Sequence, residues 1–241
     1  MNSAAAAWRL QIHETLPSTS DLCRERAQAG EPAGLAVMAR MQTQGRGSRG
    51  RSWVGEPGNL FLSVLLRPKG PARDAGLWAL LAGVAVADCV PAPVALKWPN
   101  DVMLDGAKLG GILIDSATDA GGGIDWLVIG IGLNIARMPQ IPGRRVAALD
   151  GGLRPEHLTA AILERLSHWQ AIRERSGWFV VREAWLSCAT PPGSLMTLRL
   201  QEREIAGAFA GLGEDGSLLL SIEGRVSAFA TGEVWREKPP C

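Results

Sequence analysis

The hydropathy pattern of this chain breaks once, at Pro191-Pro192-Gly193, and that break limits what it can fold into. Upstream, apolar runs of strand length alternate with longer helical stretches, the pattern of an α/β layout. Ser18-Thr19-Ser20-Asp21 offers candidate N-caps for a helix that Gly30 is placed to end. Residues 35–41 and 60–66 read as buried strands, 42–58 as a long loop, and 74–90 as a helix apolar on most faces. A strand at 94–98 is stopped by Pro99, and a hairpin at 102–104 and 109–114 turns on Asp105-Gly106. An apolar strand at 126–135 and helices at 155–175 and 178–187 complete this part. Downstream come only short alternating runs, 195–200, 205–209, 217–222 and 226–230, parted by Gly213-Glu214-Asp215-Gly216 and Glu223-Gly224. The expected division is therefore a domain over 1–190 and a small all-β module over 191–241.

With 241 residues, 46% of them apolar and 20% charged, the chain can bury a substantial core. A net charge of +1 gives no global attraction to nucleic acid. Cys23, Cys89, Cys188 and Cys241 lack CxxC spacing, and His13, His157 and His168 are dispersed, so neither a zinc site nor a disulfide framework is indicated. The apolar run 4–7 is followed by Arg9 and Gln11 before an export signal can form. The apolar stretch 76–90 is interrupted by Asp88 and is too short to span a bilayer comfortably. The expectation is a cytoplasmic protein without a membrane partner.

Chemistry concentrates in the loop Gln42-Thr43-Gln44-Gly45-Arg46-Gly47-Ser48-Arg49-Gly50-Arg51-Ser52-Trp53. Gly45, Gly47 and Gly50 match GxGxxG formally, but a dinucleotide fingerprint must open a helix, and here Val54-Gly55-Glu56-Pro57-Gly58 follows. No Lys-Ser or Lys-Thr follows the glycines, so a P-loop fails as well. What remains is mobile glycine backbone interleaved with guanidiniums, suited to phosphate or carboxylate binding by a loop that orders over its ligand. On the loop alone, a solvated basic loop or a nucleic-acid contact stays open.

Of the 25 basic residues only four are lysines, Lys69, Lys97, Lys108 and Lys238. Two of them flank Lys97-Trp98-Pro99-Asn100-Asp101 and open Lys108-Leu109-Gly110-Gly111-Ile112-Leu113. In a chain that otherwise uses arginine, that points to a need for a compact ammonium, with chance as the alternative. Asn100 and Asp101 sit where a strand ends, as functional groups or simply a turn. Gly130 and Gly132 interrupt an apolar strand, which marks a bulge or a close ligand approach, and Asn134 needs a partner if buried.

Taken together, Ser18-Thr19, QTQGRGSRGRSW (42–53), KWPND (97–101), KLGGILID (108–115) and GIGLNI (130–135) resemble the biotin–protein ligases in order and spacing. The resemblance runs on through 206–233, ending Thr231-Gly232-Glu233. It implies an α/β (α+β) fold: a mixed-sheet catalytic domain of the biotin/lipoate ligase type, followed by a small SH3-like β-barrel. The implied reaction joins biotin and ATP into biotinyl-5′-AMP with release of pyrophosphate. A lysine of the biotin carboxyl carrier protein of acetyl-CoA carboxylase then attacks the mixed anhydride and frees AMP.

By similarity, Ser18, Thr19, Ser20 and Gln42 meet the ureido head of biotin, with Arg46, Gly47, Ser48, Lys108, Gly111 and Gly130 along the rest of the ligand. Gly130 and Gly132 let backbone come close. ATP and the adenylate fall to Arg46, Arg49, Arg51, Trp53, Lys97, Asn100 and Asn134. The catalytic residues are Lys108, between carboxylate and α-phosphate, Arg46, and Asp101, which is expected to hold Mg²⁺ or steer the incoming amine.

Two departures stand out. Family members commonly carry Arg where this chain has Ser48, and Asn where it has Ser20. Loss of the charge at Ser48 implies weaker retention of biotinyl-AMP, unless Arg49 or Arg51 substitutes. Since Ser18-Thr19 lies almost at the start, no DNA-binding head and no repressor role are expected, and a homodimer is compatible with the resemblance. A lipoate ligase would share the fold, but its Arg-Arg…Gly-Gly-Gly and His-Asp signatures are not found. A non-catalytic biotin-binding module is the other alternative.

Overall fold

The computed structural model of the protein describes residues 8–141, 143–149 and 152–236. The apolar run 4–7, Lys238 and Cys241 lie outside the described residues. A seven-stranded sheet forms the centre, built from β1 (Arg9–Leu16), β2 (Leu35–Gln42), β3 (Leu60–Leu66), β4 (Val94–Lys97), β5 (Asp101–Leu104), β6 (Ala107–Thr118) and β7 (Ile124–Leu133). Its order is β1-β2-β3-β7-β6-β5-β4, with β1 and β2 parallel and every other pair antiparallel. The mixed sheet is the one expected.

Four helices cover it. α1 (Thr19–Gln28) crosses between the two parallel strands and closes a small core of Cys23, Ala27, Leu35, Val37, Leu65 and Val128 on one face. Ser18 is its N-cap, and Gly30 follows its end at φ 85°, as a left-handed stop requires. On the other face lie α2 (Leu77–Ala87), α3 (Pro155–Ser176) and α4 (Trp178–Ser187). α2 is apolar all round and buried from Leu77 to Val86, because α3 and α4 cover the side turned away from the sheet. It is shorter than the 74–90 expected. Residues Ala72–Gly76 form a 3-10 segment instead, and Asp74 accepts from Trp178 Nε1 at 3.1 Å rather than capping α2.

The hairpin of β5 and β6 turns on Asp105 and Gly106 at φ 49° and 71°, two left-handed residues that match the right-handed strand twist. β1 escapes sequence reading because it is an exposed edge whose apolar Leu10 and Ile12 face solvent.

After residue 190 come β8 (Leu195–Leu200), β9 (Arg203–Leu212), β10 (Leu218–Ile222), β11 (Arg225–Phe229) and β12 (Glu233–Arg236). They form an antiparallel sheet in the order β11-β10-β9-β8-β12. The expected barrel is not closed: β11 and β12 are the two edges, and closure would need a ladder between them that the described residues do not form. This second sheet shares one core with the first. Met196, Leu198, Phe209 and Leu218 pack in the same cluster as α2 and α4, and Trp98 Nε1 donates to the Gly216 carbonyl at 2.9 Å.

Candidate active site

Two cavities meet at Lys108. The first is narrow, ≈ 40 Å³, and gathers at the C-terminal end of β2 and the start of α1. Its polar end holds Ser18, Thr19, Ser20 and Gln42, and its other walls include Arg46, Gly47, Ser48, Trp53, Asn100, Lys108, Gly111, Gly130 and Gly132. Every residue that the resemblance assigned to biotin therefore lines one space.

The polar end is a hydroxyl relay. Thr19 donates its backbone N–H to Gln42 Oε1 at 2.7 Å and places its hydroxyl 2.7 Å from Ser63, while Ser20 and Ser63 hydroxyls are 3.0 Å apart. Gln42 thus spends its carbonyl on the helix start, which leaves its amide N–H groups for a ligand acceptor. Gly130 pairs with Ser63 across the β3–β7 ladder, and a Cβ there would fall 2.5 Å from Ser20 Oγ. Glycine at 130 is what lets the α1 N-terminus lie on the sheet.

Gly111 and Gly132 form the floor beneath the Trp53 indole. A Cβ at Gly132 would sit 2.6 Å from Trp53 Cε2, and one at Gly111 would be 3.3 Å from Cζ3. The indole N–H of Trp53 is buried without a partner, and Lys108 Nζ lies 5.7 Å from the ring centroid.

The second cavity, ≈ 250 Å³, lies on the far side of Trp53 and is lined by Arg51, Trp53, Val54, Lys108, Asn134 and Arg144 among others. Asn134 is buried; its amide donates to Ala147 O at 3.0 Å, while its Oδ1 has no partner. Asn100 lines the first cavity rather than the second and ties the strand turn to β6 by donating to Ile112 O at 2.5 Å. Lys97 and Arg49 line neither of the two.

Asp101 is the electrostatic centre. Its Oδ1 pairs with Lys108 and its Oδ2 with Lys97 at 3.2 Å. Burial alone would push this carboxyl up, but the two ammoniums outweigh it and hold it below the usual carboxylate range. A resident Mg²⁺ does not fit here. Both oxygens are already taken, two cations would repel a third, and no group of three His, Cys, Asp or Glu side chains suited to a metal occurs among the described residues. Asp101, expected to hold Mg²⁺ or steer the incoming amine, is here paired with Lys108 and Lys97.

The loop arginines are also held. Arg46 makes a bidentate pair with Asp115 at 2.7 and 3.3 Å and a further contact with Asp21 at 3.1 Å. Burial works against its charge, yet these carboxylates raise its pKa further. Arg49, Arg51 and Arg144 converge on one carboxylate, Glu233, at 3.1, 2.8 and 2.9 Å. Burial would raise Glu233, and the arginines, Arg51 first, lower it instead. Ser48 accepts from Arg51 Nη2 at 3.1 Å.

Sequence reading missed Ser63 and Glu233 as site residues. Ser63 carried a usable signal, a hydroxyl inside an apolar strand. Glu233 stood out only as the end of Thr231-Gly232-Glu233, and its partner could not be read, since it meets Arg51 from 182 residues away.

A mixed α/β sheet whose glycine-floored pocket runs into a lysine-centred cavity defines an α/β ligand-binding fold. Residues 13–134 match the Biotin/lipoate A/B protein ligase family, and the chain belongs to that family. A biotin–[acetyl-CoA-carboxylase] ligase of Paracoccus denitrificans is 35% identical over 203 residues, covering 76% of this chain and 82% of that protein. The biotin protein ligase of Aquifex aeolicus, solved in complex with biotin and ATP, superimposes with a TM-score of 0.78 at 25% identity, covering 95% and 99% of the two chains. That of Leishmania major, solved with biotinyl-5-AMP, gives 0.61 at 28% identity over 92% and 98%.

Proposed function

We propose that this chain is an ATP-dependent biotin–[acetyl-CoA-carboxylase] ligase. It activates biotin to biotinyl-5′-AMP and transfers the biotin to a lysine of a biotin carboxyl carrier protein. The observation that carries this reading is the position of Lys108, at the junction of the two cavities. One cavity suits a ureido head, with donors and acceptors at its closed end and carbon surface along its length. The other suits a nucleotide, with guanidiniums on one wall and Asn134 on another.

The biotin carboxylate attacks the α-phosphate, and pyrophosphate leaves. Lys108 faces the negative charge that grows on the phosphoryl oxygens, and Asp101 keeps its ammonium at that point. Mg²⁺ enters with ATP, as the counter-ion of the substrate's phosphates. The carrier amine then attacks the acyl carbon of the mixed anhydride, and AMP leaves. Trp53, seated on Gly111 and Gly132, has to shift or tilt for biotin to enter so narrow a space, and its unpaired indole N–H is then free to meet a ligand acceptor.

Glu233 gives the second sheet a part in this. It gathers Arg49, Arg51 and Arg144 from two loops beside the nucleotide cavity. The partner we propose is a carrier protein rather than DNA or a membrane, with the reaction in the cytoplasm and a homodimer as the assembly to look for by sedimentation. No helix among the described residues is long and apolar enough to cross a membrane.

The experiment is incubation with ATP, Mg²⁺, biotin and a biotin carboxyl carrier domain. Pyrophosphate release with biotin on the acceptor lysine is expected. Binding of biotin without pyrophosphate release would mean a non-catalytic module, and transfer of lipoate in place of biotin a lipoate-type ligase.

A further inference from the structure

Arg46 lines the narrow cavity together with Lys108, but the two carboxylates that hold it, Asp21 and Asp115, do not. They come from outside the loop, Asp21 from α1 and Asp115 from β6, and meet the guanidinium on the side turned away from that space.

A guanidinium carries its N–H groups in one plane, as two forks. The end fork, one hydrogen each from Nη1 and Nη2, is filled by the two oxygens of Asp115 at 2.7 and 3.3 Å. The second Nη1 hydrogen goes to Asp21 Oδ1 at 3.1 Å. What remains is the side fork, Nε–H with the outer Nη2–H. It has no partner among the described residues, and Nε is not buried in a side chain that is 33% exposed. The backbone beneath is fixed as well. Arg46 bridges Ser52, Gly47 N–H donates to Arg51 O at 2.7 Å, and Trp53 N–H donates to Gly45 O at 2.8 Å.

Charge alone does not account for this cluster. Asp21 also pairs with Arg24 at 2.9 Å, so two guanidiniums face two carboxylates and the group is neutral. The surplus positive charge of the site sits on Lys97 and Lys108, around the single carboxylate of Asp101. What Arg46 offers is direction, a planar pair of donors that matches two oxygens of one carboxylate or phosphate.

We propose that Asp115, assisted by Asp21, is a positioning residue of the biotin-activating site: it fills the end fork of Arg46 and leaves the side fork for an oxyanion in the narrow cavity. This rests on the ligase reading above, and the oxyanion is biotin's carboxylate, or the α-phosphate once the anhydride has formed.

Calorimetry with biotin and with biotinol, its primary alcohol, separates the carboxylate from the rest of the ligand, and the off-rate of added biotinyl-AMP reads the phosphate. In Asp115→Asn an amide replaces one acceptor of the end fork by a donor. Affinity for biotin should fall about tenfold, or biotinyl-AMP dissociate about tenfold faster, while affinity for biotinol is unchanged. Loss confined to biotin assigns the fork to the carboxylate, and loss confined to biotinyl-AMP assigns it to the phosphate. Asp115→Glu keeps the charge and should keep most of the affinity. Arg46→Lys has no fork to aim, so adding Asp115→Asn to it should cost nothing more. Should Asp115→Asn fail to fold, Asp21→Asn, at a partly exposed position, carries the same expectation at smaller amplitude. Equal loss of biotin and biotinol would mean general damage, and additive losses in the double variant would mean that Asp115 acts apart from Arg46. Either result overturns the proposal, as does an Asp115→Asn protein with unchanged affinity for biotin and unchanged retention of biotinyl-AMP. A parent chain that binds biotin without releasing pyrophosphate defeats the ligase reading and leaves the calorimetric test standing, so the two failures are told apart. One that binds neither biotin nor biotinol overturns both.

Discussion

Asp101 gives each of its oxygens to a different lysine, and this holds the Lys108 ammonium at one point. An ammonium held at one point acts on charge that develops at that point, without reorganisation cost. Lys108→Gln should therefore slow pyrophosphate release by about 10²–10³-fold while biotin still binds, since the Ser18–Gln42 end does not touch it. Single-turnover adenylation and calorimetry with biotin separate the two effects, and loss of both together would remove Lys108 from this role. Ser48 is the other residue with a clear expectation. Arg49 and Arg51, the two guanidiniums near enough in sequence to replace its missing charge, are committed to Glu233, and Ser48 itself accepts from Arg51. Ser48→Arg should slow dissociation of biotinyl-AMP from the enzyme. Equal off-rates in the two proteins would dispose of the idea.

At the level of elements, the arginine loop is anchored by the second sheet. Glu233 opens β12, and its three ion pairs are the side-chain link between the second sheet and the loops beside the nucleotide cavity. Glu233→Gln should raise the KM for ATP and leave the affinity for biotin alone, because the arginines are then no longer gathered on one wall. An unchanged KM for ATP would reduce these pairs to surface decoration. The glycines of β7 work differently, by giving space. Gly132→Ala drives a methyl group into the Trp53 indole and should cost about 1–3 kcal/mol of stability, or displace Trp53 and quench or shift its fluorescence. A substitution without effect on either would show that the indole does not rest on that floor.

For the whole molecule, the two clamps set an acid limit. Asp101 and Glu233 both titrate below their ordinary values in the folded chain, so the unfolded chain binds protons first as pH falls. Their contribution to stability is complete above the ordinary carboxylate range and is lost as pH drops through the folded-state values. Urea melts at about pH 7 and about pH 3 should show a smaller acid loss in the Asp101→Asn, Glu233→Gln double variant than in the parent. Identical losses would mean that other carboxylates set the limit. Because the two sheets share a core, this loss should appear as one cooperative transition.

Much of this was legible in one dimension. The strand at 60–66 and the helix at 178–187 read directly from apolar runs and their punctuation, and the turn at Asp105-Gly106 from residues that tolerate positive φ. The residues that line the narrow cavity were legible as a group too, because they cluster in short motifs. Long-range partnership was not. β1 and β12 are short or exposed segments that become strands only by pairing with β2 and β8, and the open edge of the second sheet follows from ladders, not from composition. The break at Pro191-Pro192-Gly193 announced two sheets, yet only packing made them one core. By itself the sequence determined most of the elements, the chemistry of the motifs and their order. The tertiary structure alone decided that Asp101 is saturated by two lysines and that Glu233 collects three arginines, because Coulomb pairing depends on distance in space and is blind to distance along the chain.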